Sequence, residues 1–224
     1  MATTFTTKYF ALSCLFVRKC IGVTGMALPF VLAFGNMLLG YPGILDSISA
    51  YYYSPMRDIF VSSLCAIGVL LICYRYERID NVLSSLAGVC AIGIALFPIA
   101  PPTGATEQQV IIAWFHYGFA VCFFLLMAYF TLVLFRRTTT EKPPTQRKQQ
   151  RNTVYLLSGI IIVTCLVLIV LVQTLLASIP WLQSLHPVFW LETLAIEAFG
   201  IAWFVKGDTI LRDEYRVTVG QSIA

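Results

Sequence analysis

Charge is scarce in this chain, and the scarcity names its solvent. Charged residues make up 12% of the 224, hydrophobic ones 58%, and the mean hydropathy is +0.81. Soluble domains carry about 25% charged residues and roughly half apolar ones, so a water-soluble globular domain is excluded. Histidine is nearly missing as well. His116 and His186 are the only two, too few for a three-histidine zinc hydrolase. There is no Gly-Lys-Ser/Thr phosphate loop and no Gly-x-Ser-x-Gly elbow. No metal site or cofactor is expected. Seven cysteines (Cys14, Cys20, Cys65, Cys73, Cys90, Cys122, Cys165) lie within or beside apolar runs, which implies buried thiols and no disulfide framework.

What the chain has in quantity is long apolar runs, at 20–39, 59–74, 82–100, 110–135, 153–177 and 188–205. Most approach or exceed the ~20 residues needed to cross a ~30 Å hydrocarbon core. Backbone groups in lipid must be satisfied within the segment, and the runs lack the alternation of a barrel strand, so helices are predicted. The 59–74 run is the shortest.

Basic residues set the orientation. Lys8, Arg18 and Lys19 precede the first run, and Arg75 and Arg78 follow the second. Arg136, Arg137, Lys142, Arg147, Lys148 and Arg151 separate the fourth from the fifth, and Lys206, Arg212 and Arg216 follow the sixth. Fourteen of the fifteen thus share one face, with Arg57 alone opposite. Positive residues stay in the cytoplasm. The expectation is an all-α integral membrane bundle of six transmembrane helices with both termini cytoplasmic, in a bacterial inner membrane.

A single domain covers 1–224, with no convincing repeat. Its one linker-like stretch, 136–152 (RRTTTEKPPTQRKQQRN), is polar, basic and broken by Pro143-Pro144, and reads as a flexible cytoplasmic loop that sets topology. Residues 9–17 are too short to cross and are stopped by Arg18-Lys19, so they read as an interfacial lead-in with no signal-peptide cleavage site. Ala87, Ala91 and Ala95, with Ser84 and Gly88 on a neighbouring stripe, make the third helix a close-packing central one. Ser62, Ser63, Ala66 and Gly68 suggest the same for the second, Pro29 a kink in the first, and the bulky fifth helix a lipid-facing edge.

Polar groups at membrane depth are functional candidates. His116 lies about 9 Å below the outer end of its helix and Glu192 about 6 Å below the end of the last one, at 1.5 Å per residue. Asn36, Arg57 and Asp58 lie near the same face, with Glu197 deeper. Asn36, Asp58, His116 and Glu192 are expected to converge in one outward-opening polar pocket, with Glu197 at its floor. The long outer connection 40–58, with Asp46, Ser47, Ser49, Tyr51, Tyr52, Tyr53 and Arg57, would form its rim; its tyrosines also suit an interfacial belt. For catalysis the candidates are His116 as base with Glu192 or Asp58 orienting it. The same groups could instead hold a ligand or fix helix register.

One arrangement resembles a known family. The Ser-Ile-Ser-Ala-Tyr segment at 47–51, Phe97-Pro98 closing the third helix, and His116 early in the fourth are similar to a bacterial and archaeal family of uncharacterised six-span proteins. That family is related to the group containing the damage-regulated autophagy modulator and the GPI-anchor remodelling factor. Ala198-Phe199-Gly200 and Trp203 to Gly207 extend the likeness across roughly 36–208. The resemblance implies a six-helix bundle, a lipid-linked role, and Ser49, Tyr51, Phe97, Pro98 and His116 as a shared outer-face site.

The leading expectation is therefore binding, sensing or remodelling of a membrane lipid at an outward-facing pocket. A proton- or ion-coupled transporter or channel using Glu197, and a non-catalytic membrane scaffold, are the alternatives. Membrane lipids are the expected partners, nucleic acid is not, and homo-oligomerisation is left open.

Overall fold

The computed structural model describes residues 2–41, 43–137, 145–207 and 210–211, with residues 2–12 as backbone alone. Every regular element among them is helical. In chain order they are α1 (Ala2–Leu38), a 3₁₀ turn (Ser49–Tyr53), α2 (Arg57–Cys73), α3 (Arg78–Leu96), α4 (Glu107–Tyr129) continued by a π turn (Phe130–Leu134), α5 (Gln146–Thr174), the short α6 (Pro180–Gln183), and α7 (Pro187–Lys206). Five of them carry segments long and apolar enough to cross a membrane. The shorter α2, with 17 residues, falls below that group.

Helix ends follow local chemistry. Thr106 Oγ1 accepts the Gln109 N–H while Gln109 Oε1 accepts the Thr106 N–H, closing a capping box before α4. Thr145 caps α5 through the Lys148 N–H at 3.1 Å. The Phe97-Pro98 step ends α3, since proline cannot continue a helix. Pro187 opens α7 at a position where its missing N–H costs nothing. Two expectations change here. The lead-in at 9–17 is part of one continuous α1, because Arg18 and Lys19 do not break a helix. The loop at 136–152 is shorter than expected, because α5 starts at Gln146; Gln, Arg and Lys are good helix formers. Its centre, 138–144, lies outside the described residues.

The large helices form a closed ring in which each packs on its neighbour in sequence and α7 closes on α1. Close approach is set by glycine. A Cβ at Gly22 would lie 2.8 Å from the Gly200 carbonyl oxygen, and one at Gly68 2.8 Å from that of Gly88. Ala87, Ala91, Ala95 and Ser84 are buried as expected for α3. In α2 only Gly68 of the predicted small residues is buried, while Ser62 and Ala66 are exposed. Phe60, Leu64, Ile67 and Leu71 form its inner face instead.

Alternating helix direction sorts the polar groups to two ends. At one end the buried Arg18 donates to the Lys206 carbonyl (3.2 Å) and to the Tyr74 hydroxyl (2.7 Å), tying α1 to the ends of α7 and α2. A cation at a helix C-terminus is favoured by the exposed carbonyls there. Trp203 packs beside it on Tyr74, Phe130 and Phe135, with ring centres 5.2–5.6 Å apart. Lys206 is folded inward, donating to the Phe135 carbonyl at 3.4 Å and lying over the Phe135 ring. The opposite end carries the 3₁₀ turn and the candidate site.

Candidate functional site

The connection from α1 to α2 is built to hold one short segment in place. Gly40 and Gly43 adopt φ of 86° and 89°, a region that other L-residues avoid. The chain then crosses to the start of α7. There the Phe189 N–H donates to the Asp46 carbonyl (3.0 Å), and Asp46 Oδ1 pairs with His186 Nδ1 (2.8 Å). Glu192 Oε2 accepts the Ile48 N–H at 2.6 Å, and Ser47 Oγ accepts the Ala50 N–H at 3.0 Å. Tyr51 is fully buried against Phe189, its hydroxyl accepting the Leu45 N–H. Burial pushes the Tyr51 phenol above its ordinary pKa, so it stays protonated.

Ser49 is what this scaffold presents. Its Oγ lies 3.0 Å from His116 Nε2, and His116 Nδ1 lies 2.7 Å from the Phe97 carbonyl oxygen. A carbonyl only accepts, so Nδ1 carries a proton. The neutral ring then offers a lone pair at Nε2, and the Ser49 hydroxyl donates to it. The other partnered serines of the outer segment turn to backbone: Ser54 Oγ donates to the Tyr51 carbonyl and Ser47 Oγ caps Ala50. His116 is 2% exposed. It lies about two and a half turns into α4, counted from Glu107 after the Thr106 cap, and its ring is packed edge-on against Tyr117.

Below Ser49 lies a small cavity of about 50 Å³ within the ring of helices. Ser49 and Glu192 line its polar end, and Leu64, Ile67, Phe123, Ile196 and Phe199 its apolar length. An outer cleft of about 390 Å³ shares the same turn, bordered by Tyr52, Tyr53, Arg57, Pro98, Ile99 and Gln109.

The sequence-selected residues are thus divided. His116, Ser49 and Glu192 come together, the carboxylate and the imidazole both gripping the Ile48–Ser49 step. Tyr51 anchors that step from beneath. Arg57 is on the exposed rim, its guanidinium stacked on the Tyr52 ring and donating to the Tyr52 hydroxyl at 2.7 Å. Asp58 is exposed in the first turn of α2, where its charge suits the helix N-terminus, and is not among the residues bordering the cavity. Asn36 is buried but turns to its own loop, donating to the Tyr41 carbonyl at 3.4 Å. Glu197, five residues from Glu192, is absent from the cavity wall; its Oε1 is shielded and has no partner among the described residues. Neither Glu192 nor Asp58 orients His116. The group that does is the Phe97 carbonyl, which spacing could not reveal, although the Phe-Pro helix stop marks where α3 leaves carbonyls unpaired.

Among the described residues no cluster of three or more His, Cys, Asp or Glu side chains could hold a metal ion. The chemistry within reach is proton abstraction from a hydroxyl by a buried imidazole, next to a carboxylate that fixes the backbone. Comparison with protein-family models, with curated proteins and with solved structures finds no match to this chain.

Proposed function

We propose that this is a six-span membrane protein, both termini in the cytoplasm, that binds or remodels a membrane lipid at its outer face. The supporting observation is the meeting of Ser49 and Glu192 at the polar head of an otherwise apolar cavity, with His116 hydrogen-bonded to Ser49 at 3.0 Å. Polar groups are costly in hydrocarbon, and a set that shares one short turn calls for a polar ligand group there. The depth and apolar lining suit an amphipathic molecule whose head is at the membrane surface and whose body lies in the bilayer. The resemblance in 47–51, Phe97-Pro98 and His116 points to a lipid-linked role.

The orientation is supported by the sorting of charge. Arg18, Lys206 and the basic starts of α3 and α5 share one end, and Arg57 is at the other. The α2 helix is taken as the sixth span, since its 17 residues run antiparallel to α3 along the Gly68–Gly88 contact. The test is lipid carried through purification. Mass spectrometry of the wild type is expected to show a retained lipid class, reduced several-fold in His116→Ala. Equal retention by a folded His116→Ala protein would defeat this reading.

A further inference from the structure

Resting on that lipid-handling reading, we infer that Ser49 is the nucleophile of an acyl-transfer reaction on a lipid carboxylic ester, with His116 as its general base. The geometry supplies the nucleophile, its base and the group that orients the base. The Ser49 hydroxyl donates to a histidine nitrogen at 3.0 Å, the relation that activates a serine nucleophile. The opposite nitrogen is held at 2.7 Å by the carbonyl of Phe97, the C-cap residue of α3. A helix C-terminus carries partial negative charge, which stabilises an imidazolium as it forms. The end of α3 therefore takes the place that a carboxylate holds in a Ser-His-Asp triad. Phe97 and Glu192 are positioning residues, the first for the imidazole and the second for the Ile48–Ser49 backbone.

The walls select the electrophile. No Lys or Arg is among the described residues lining the cavity, and Glu192 places a carboxyl beside Ser49. Phosphoryl transfer needs cations to neutralise its equatorial oxygens, so a phosphodiester is a poor fit. A neutral carboxylic ester needs none. The apolar wall from Leu64 to Phe199 takes the acyl tail. At about 50 Å³ the cavity has room for one or two waters, so an acyl tail enters only if the side chains of its wall yield.

The step balances. Ser49 Oγ bonds to the ester carbonyl carbon as its proton passes to His116 Nε2. The tetrahedral centre collapses with cleavage of the ester C–O bond, and the leaving alkoxide takes the proton from Nε2. An incoming hydroxyl or water then gives its proton to Nε2 and its oxygen to the acyl carbon; the Ser49 Oγ–acyl bond breaks and Oγ takes that proton back from Nε2, restoring both residues.

A fluorophosphonate probe tests this on the full-length protein in lipid nanodiscs, with peptide mapping of the adduct. One phosphonyl group on Ser49 is expected, none in Ser49→Ala, and a labelling rate at least ~10²-fold lower in His116→Ala, as for loss of a general base. Absence of the adduct from folded wild type overturns the proposal, as does labelling indifferent to His116. Adduct formation and lipid retention are both read on the wild-type protein, which separates the two readings. Lipid retained with no wild-type adduct removes the nucleophile alone. An adduct on Ser49 in a protein that retains no lipid removes the lipid ester as substrate.

Discussion

Glu192 in the last helix accepts the backbone N–H of Ile48 at 2.6 Å, across 144 residues of sequence. The bond fixes the peptide that carries Ser49, and it depends on an acceptor oxygen more than on charge. Glu192→Ala is expected to lower stability by about 1–3 kcal/mol, the cost of leaving the buried Ile48 N–H without an acceptor. Glu192→Gln, which keeps an acceptor, should recover most of that. Thermal unfolding of both variants in one detergent measures it. Equal losses would show that the carboxylate acts through its charge.

The glycine contacts make a prediction with its own control. A Cβ at Gly88 would press on the Gly68 carbonyl, whereas one at Gly118 meets nothing within 4 Å. Gly88→Ala is expected to cost about 1–3 kcal/mol through overpacking. Gly118→Ala should be neutral or stabilising by up to about 1 kcal/mol, since alanine is the better helix former. Denaturation of the two variants under identical conditions decides it, and similar effects would contradict the α2–α3 interface.

Tyr74 gives a pH dependence with a definite sign. Burial pushes its phenol up to about 12, against the opposing pull of the Arg18 guanidinium beside it, where an unperturbed tyrosine ionises near ~10. The folded state thus favours the protonated phenol. Its contribution is complete below pH ~10 and is lost as pH rises from there to about 12. The melting-temperature difference between wild type and Tyr74→Phe should shrink over that interval. A difference that stays flat to pH 12 would refute it.

Glu197 separates the lipid reading from transport. Its shielded oxygen has no partner among the described residues, and it lies away from the Ser49 cavity. If the protein handles lipid, proteoliposomes carrying it should show no proton flux beyond that of empty vesicles. Flux in the wild type that Glu197→Gln abolishes would replace the proposed function with coupled transport.

Much of the architecture could be read from the residues because each large helix carries its own apolar run and its own stop. The central place of α3 was legible in Ala87, Ala91 and Ala95, whose small side chains meet their neighbours closely. That of α2 was less so, since Ser62 and Ala66 are small yet face outward, and bulky Phe60 and Leu64 turn in. The site was half legible. Depth alone brought His116 and Glu192 to one level, and resemblance singled out Ser49. Depth does not give azimuth, so Asp58 and Asn36, at the right height, turn elsewhere. The orienting group escaped because a main-chain carbonyl has no letter in the sequence.

Closure of the ring by α7 on α1 has a temporal meaning. During synthesis α1 to α4 emerge with the Ser49 turn, His116 and the Phe97 carbonyl already present, before the Glu192 acceptor of the Ile48 N–H is made. That acceptor arrives with α7, together with the Gly22–Gly200 seam. The last bond to the outer turn, from the Ile48 N–H to Glu192, is therefore made only once residues beyond 187 have been synthesised.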